Sequence, residues 1–166
     1  MMTVNKSLIK NALISQRTAA DPDSSVWVSA SAGTGKTKVL TDRVLSLLVA
    51  GNEPQSLICL TFTRAAAAEM ENRIISQLDE WAAMESNNLQ TTLKELIGHK
   101  PRSKDVRRAK QLFALVLESP NGLNIQTIHA FCQSLLRRFP LEAKIAPYFT
   151  LMDERDTHEL LAQARE

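Results

Sequence analysis

Three observations predict an α/β fold built on a parallel sheet. Short apolar runs of strand length, at 26–30 and 56–63, alternate with segments of helical apolar spacing at 36–50 and 64–81. The runs are nearly all apolar instead of alternating, the pattern of strands covered on both faces. The first run passes into a glycine-rich turn, Ala30-Ser31-Ala32-Gly33-Thr34-Gly35-Lys36-Thr37, that opens the helix behind it. Strand, helix, strand, helix in this order implies crossover connections and helices packed on the sheet.

The elements follow in order. Residues 1–20 read as a helix with Leu8, Ile9, Ala12 and Leu13 on one face, and Asp21-Pro22-Asp23-Ser24-Ser25 as a turn. Residues 26–30 read as the first strand. A helix over 36–50 carries Val39, Leu40, Val44, Leu47 and Leu48 at helical spacing, and Gly51 stands where a C-terminal cap prefers glycine. The second strand, 56–63, holds Leu57, Ile58, Leu60 and Phe62, and a long helix with an alanine-rich start covers 64–81. Residues 82–120 break the alternation and read as an inserted helical pair, 85–97 and 103–118, around Gly98-His99-Lys100-Pro101. A third strand is expected at 123–128, a helix at 130–139 stopped by Pro140, an extended run at 149–152 and a helix at 156–165. That last helix runs to Glu166 without a capping signal, which predicts a chain cut from a longer one.

The turn carries the chemistry. Strand, glycine loop and helix are the context a phosphate-binding P-loop requires. Gly33 and Gly35 let the backbone approach a phosphate closely. The loop amides and the helix N-terminus then present partial positive charge to the anion. Lys36 adds a full charge near the β- and γ-phosphates, and the Thr37 hydroxyl is a ligand for Mg²⁺. The strict pattern begins with glycine where this chain has Ala30.

Bulk properties narrow the function classes. A chain of 166 residues, 44% hydrophobic and 23% charged, holds one domain with a real core. A net charge of +2 does not by itself mark a nucleic-acid binder. No apolar run approaches the roughly 18 residues of a membrane span, and residues 1–10 lack a signal-peptide core. Cys59 and Cys132 sit in apolar segments without metal-ligand spacing, which predicts buried free thiols and a cytoplasmic protein.

Other groups are less specific. Thr61, Thr63 and Arg64 end the second strand, the edge of an open α/β sheet where ligands bind, and they suit the phosphates of a nucleic-acid strand. Thr61 and Thr63 equally suit a β-strand and a helix N-cap. Thr127 and His129 stand likewise at the end of the third strand, and His129 has no partner spaced for a metal. Phe131 reads as core before it reads as a base-stacking ring. Lys94, Lys100, Arg102, Lys104, Arg107, Arg108 and Lys110 form a basic stretch, more often a solvated face than a phosphodiester site. Gln16, alone, is an ordinary surface glutamine.

Taken in this order, Ala30 to Thr37, Thr61 to Met70 and Thr127 to Phe131 resemble motifs I, Ia and Ib of the UvrD/Rep-type superfamily 1 DNA helicases, whose P-loops often begin with Ala. Within that family the chain is similar to the N-terminal part of the AddA branch, the helicase–nuclease subunits of double-strand-break repair, in their alphaproteobacterial form. Gln16, Asp21-Pro22, Trp27-Val28-Ser29-Ala30, Val39-Leu40-Thr41-Asp42-Arg43-Val44 and Ala65-Ala66-Ala67-Ala68-Glu69-Met70 carry the likeness, which covers nearly the whole chain.

The resemblance implies a RecA-like ATP-binding lobe over 1–140, with the helical insertion at about 82–120, and the start of a second, inserted helical subdomain over 141–166. It implies ATP and Mg²⁺ as cofactors, held by 30–37, with Gln16 reading adenine. It implies single-stranded and duplex-end DNA as partners, with Thr61, Thr63, Thr127 and His129 on the strand's track. Arg64 stands there where relatives carry Lys or Asn. It implies a nuclease further along, a partner of the AddB type, and no membrane. Asp153-Glu154 imitates a metal-binding strand end, but a similar stretch in the family opens the second subdomain, so both residues read as structural. The carboxylates and arginine that complete ATP hydrolysis lie further along in that family. A UvrD-like repair helicase without a nuclease, a small P-loop kinase and a non-catalytic nucleotide-binding module are the other readings.

Overall fold

The structure, a computed structural model, describes residues 13–29, 31, 33–120, 122–152 and 154–165. The chain divides into two compact units, Met1–Thr127 and Ile128–Glu166. In the first unit residues 13–20 are helical. There follow α1 (Lys36–Ala50), a 3₁₀ turn (Pro54–Ser56), β1 (Ile58–Thr61), α2 (Arg64–Ala83), α3 (Ser86–Ile97), α4 (Ser103–Glu118) and β2 (Asn124–Thr127). The second unit holds α5 (Ile128–Arg138) and α6 (Glu154–Gln163). The expected extended run at 149–152 forms no strand.

β1 and β2 pair in parallel, from Ile58 opposite Asn124 to Thr61 opposite Thr127. The α/β class and the parallel sheet expected from the sequence are therefore present. The first expected strand is not. Residues 25–29 carry no strand pairing, Trp27 is 95% exposed, and Ala30 lies outside the described residues. Val26 and Val28 border a cavity beside Val39 and Leu40 of α1, but both are exposed, at 39% and 43%. An apolar run announces a preference for burial, whereas a strand also needs a neighbour to hydrogen-bond.

Full burial of the sheet is corrected as well. Leu57, Cys59 and Ile125 pack toward the core, while Ile58 and Leu60 on the other face are 55% and 45% exposed. Cys132, expected to be buried, is exposed; Cys59 is half-buried, and burial pushes its thiol pKa up.

The core lies among four helices. Leu45 and Leu48 of α1, Ile74, Leu78 and Trp81 of α2, Leu89 and Leu93 of α3, and Leu112 of α4 are almost wholly buried in one cluster. Helices α3 and α4 were expected as an insertion; they supply a full wall of this core. Buried apolar area stabilises in proportion to its extent, so α1 and α2 depend on them.

Helix termini tie the wall together. Gly51, at φ 119°, caps α1 with backbone N–H bonds to Leu47 and Leu48. Arg108 of α4 donates to the carbonyls of Leu48 at 2.7 Å and Asn52 at 2.9 Å, satisfying acceptors at the same helix end. At the start of α4, buried Asp105 accepts from the Arg102 backbone N–H at 2.8 Å and from its Nε at 3.1 Å. Burial works to raise the Asp105 pKa, but the hydrogen bonds and positive charges of Arg102, with that of Lys104, outweigh it and hold the carboxyl below its ordinary range. A lowered folded pKa gives stability that is present above the unfolded value and lost as pH falls through the folded one. Asp105→Asn is therefore expected to cost about 1–3 kcal/mol at neutral pH, with the gap to the wild type closing below about pH 4. Urea unfolding of both proteins at several pH values checks this; a gap that persists at low pH refutes it.

Candidate nucleotide-binding site

Gly33 and Gly35 both adopt left-handed backbone, at φ 79° and 86°. That is the conformation for which the sequence supplies glycine, and it turns the chain into the first turn of α1. The first intrahelical bond runs from the Val39 N–H to the Gly35 carbonyl at 3.0 Å. Among the described residues no side-chain hydrogen bond caps this N-terminus, the end of a helix that attracts anions. Thr34 Oγ1 donates to the Ser31 carbonyl at 2.7 Å, and Lys36 Nζ donates to the same carbonyl at 2.5 Å. The loop is folded with its ammonium group turned inward over it. Ala30 and Ala32 lie outside the described residues, Ser31 is exposed and Thr37 is half-buried.

Gln16 is the other residue brought to the loop. A side-chain carbon at position 35 would meet Gln16 Nε2 at 3.4 Å, so the amide lies near the glycine that precedes α1. Cavities of about 490 Å³ flank α1 on two sides. One is bordered by Gln16, Arg17, Lys38 and Asp42, the other by Ala19, Ser25, Lys36 and Arg43.

The loop fits a magnesium–triphosphate. Two left-handed glycines, the N-terminus of α1 and Lys36 would supply the anion site. Thr37 offers one hydroxyl, and no group of three or more His, Cys, Asp or Glu that could hold a metal occurs among the described residues. A single protein oxygen with phosphate oxygens and waters is the ligand set Mg²⁺ accepts.

At the sheet's C-terminal end, Thr61 and Thr127 are register partners, both half-buried and on the same face as Cys59 and Ile125. Thr63 caps α2, its hydroxyl oxygen accepting from the Ala66 N–H at 3.1 Å, as the simpler of its two readings expects. Arg64, the first residue of α2, is exposed. His129 and Phe131 belong to the second unit, in α5, where His129 is exposed and Phe131 half-buried. Of the basic stretch, Arg102 and Arg108 are engaged as described above, while Lys94, Lys100, Lys104 and Arg107 are exposed. Asp153 and the Glu154 side chain lie outside what the structure describes.

Sequence reasoning assigned no role to Arg43. Its guanidinium donates to the carbonyls of Ala19 at 3.2 Å, Asp21 at 2.6 Å and Ser24 at 2.6 Å. Its run Val39–Val44 carries the family likeness, but nothing local tells what the guanidinium binds, because its acceptors are main-chain oxygens that any sequence supplies.

A two-stranded parallel sheet with helices packed on it sets the α/β class, and the comparison with known families gives the family. The UvrD/REP helicase N-terminal domain matches residues 12–166, and the chain belongs to that family. The AddA-type ATP-dependent helicase/nuclease subunit of Pediococcus pentosaceus is 35% identical over 139 residues, 84% of this chain and 10% of the relative. Proteins of the same name from Lactobacillus johnsonii and Desulforamulus reducens are 35% and 37% identical, over 83% and 80% of this chain. The chain spans about 10% of the length of the relatives it matches. No helix among the described residues is long and apolar enough to cross a membrane.

Proposed function

We propose that this chain is the ATP-binding, RecA-like N-terminal part of an ATP-dependent DNA helicase that works in double-strand-break repair and recombination, of the helicase–nuclease kind. The observation that carries it is the meeting of Gln16 with Gly35: the amide that would read adenine and the loop that would hold the phosphates converge at one end of α1. A side-chain amide both donates and accepts, which suits the adenine edge. Lys36 stabilises charge on the phosphates, the loop amides cradle them, and Thr37 is this chain's ligand to Mg²⁺. Thr61 and Thr127, side by side at the strand ends, with Thr63 and Arg64, belong to a single-strand track in this reading, and His129, in the second unit, is a further candidate DNA contact. Closure of a second lobe over ATP and its release on hydrolysis would move the strand along that track. Residues 1–140 belong to the first lobe in this reading and 141–166 open a helical subdomain. The protein is cytoplasmic and pairs with an AddB-type partner.

Mg-ATP binding by this chain, together with hydrolysis by the full-length protein with and without single-stranded DNA, tests the proposal. Binding by the chain and turnover stimulated by DNA are expected. Failure to bind at millimolar ATP removes the loop assignment, and turnover indifferent to DNA points to a kinase-like enzyme instead.

A further inference from the structure

Arg43 ties two parts of the candidate site that the chain otherwise joins loosely. It stands on α1, the helix that begins with Lys36 and Thr37. The three carbonyls it holds belong to the end of the helical residues 13–20 and the turn behind them. That turn is a closed unit in itself: the Asp21 carboxylate accepts from the Asp23 N–H and the Ser24 hydroxyl, each at 3.1 Å. Gln16 lies one turn of helix before the clamped carbonyls.

Over the described residues 13–20, apolar packing holds this helix only lightly. Among its described residues only Ala20 is buried, and Leu13 and Ile14 are 53% and 54% exposed. Between the turn and α1 lies a cavity of about 490 Å³ bordered by Ala19, Ser25, Lys36 and Arg43, so side chains do not interlock there. The hold is thus a planar guanidinium on three main-chain oxygens, a geometry that lysine, a single point charge, does not reproduce. A cation at the carboxyl end of a helix is also favoured by the helix dipole.

We propose that Arg43 is a positioning residue for nucleotide recognition: by clamping the 19–24 turn to α1 it sets the Gln16 amide against the phosphate loop. The adenine end and the phosphate end of the site are then held in register by one side chain that touches neither. This rests on the nucleotide reading given above.

The test uses the full-length helicase with saturating single-stranded DNA. KM and kcat are measured for ATP and GTP in the wild type, Arg43→Gln, Arg43→Lys, Gln16→Ala and the Arg43→Gln/Gln16→Ala double variant. Arg43→Gln is expected to raise KM for ATP roughly tenfold, with kcat within about twofold of wild type, the pattern of lost binding without lost chemistry. It should narrow the preference for ATP over GTP as far as Gln16→Ala does. Arg43→Lys should fall between wild type and Arg43→Gln. The double variant should be no worse than Gln16→Ala alone, because residues acting through one another are not additive. Additive losses, or equal losses for ATP and GTP, overturn the proposal and leave Arg43 as a fold-stabilising residue. Should Arg43→Gln fail to fold, Arg43→Lys carries the test, with a raised KM at constant kcat expected and a wild-type KM for ATP overturning it. If Gln16→Ala keeps the ATP preference, the proposal falls, while the phosphate-loop reading stands or falls separately on Lys36→Ala.

Discussion

Lys36→Ala is expected to lower DNA-stimulated ATP turnover of the full-length protein by at least about a hundredfold to a thousandfold, the size of losing one preorganised charge or donor at a transition state. The fold should survive. Lys36 is exposed, and its Nζ lies on the carbonyl of Ser31 within the same loop, so little packing is lost with it. Substitutions of that kind usually change stability by less than about 0.5 kcal/mol. The result is read from turnover beside thermal unfolding of the same preparation. Wild-type turnover in the variant removes the phosphate role of Lys36, and a large drop in melting temperature shows that a damaged fold explains the loss. In the present structure the ammonium rests on the loop it would serve, so nucleotide binding has to exchange the Ser31 carbonyl for phosphate oxygens. That exchange replaces a neutral acceptor by a charged one and strengthens the bond.

The second large effect is on stability. Leu112, in α4, is 0% exposed and belongs to the cluster that includes Leu45 and Leu48 of α1 and Ile74 and Leu78 of α2. Leu112→Ala is expected to destabilise the first unit by about 2–5 kcal/mol through lost burial and the cavity left behind. Leu117, on the same helix but 63% exposed, is the control, and Leu117→Ala should be nearly silent. Urea unfolding followed by far-ultraviolet circular dichroism measures both. If α3 and α4 were a separable excursion, Leu112→Ala would melt them and leave a second transition for the rest; one cooperative, weakened transition is expected instead. The consequence reaches the site, because Arg108 of the same helix α4 holds the far end of α1, whose near end is the phosphate loop.

Much of this was open to inspection in the sequence. Gly33 and Gly35 were legible because a left-handed backbone selects glycine, and the structure puts both there. The C-terminal cap at Gly51 was legible for the same local reason, whereas the N-cap at Thr63, which rests on its hydroxyl, was one of two readings the sequence left open. Helices α3 and α4 were placed within a residue at each end, since apolar spacing and the Gly98-to-Pro101 break are properties of the segment alone. The strand at 26–30 was not recoverable that way: its composition is a strand's, but pairing is decided by what lies beside it. Cys132 failed similarly, because an apolar neighbourhood in sequence does not say whether anything covers it, and no residue of α5 is buried.

The sequence by itself determined the local chemistry: a glycine loop with Lys36 and Thr37 at a helix start, the caps, the helix spacings and the α/β class. Each depends on the conformational preference of one residue or on the period of one segment. Only the tertiary structure decided that Gln16 meets Gly35, that Arg43 grips the 19–24 turn, that Arg108 closes the end of α1, and that the apparent insertion is a wall of the core. Those facts join residues far apart along the chain, in several cases through main-chain carbonyls that every residue carries, and so they leave no mark in the pattern of side chains.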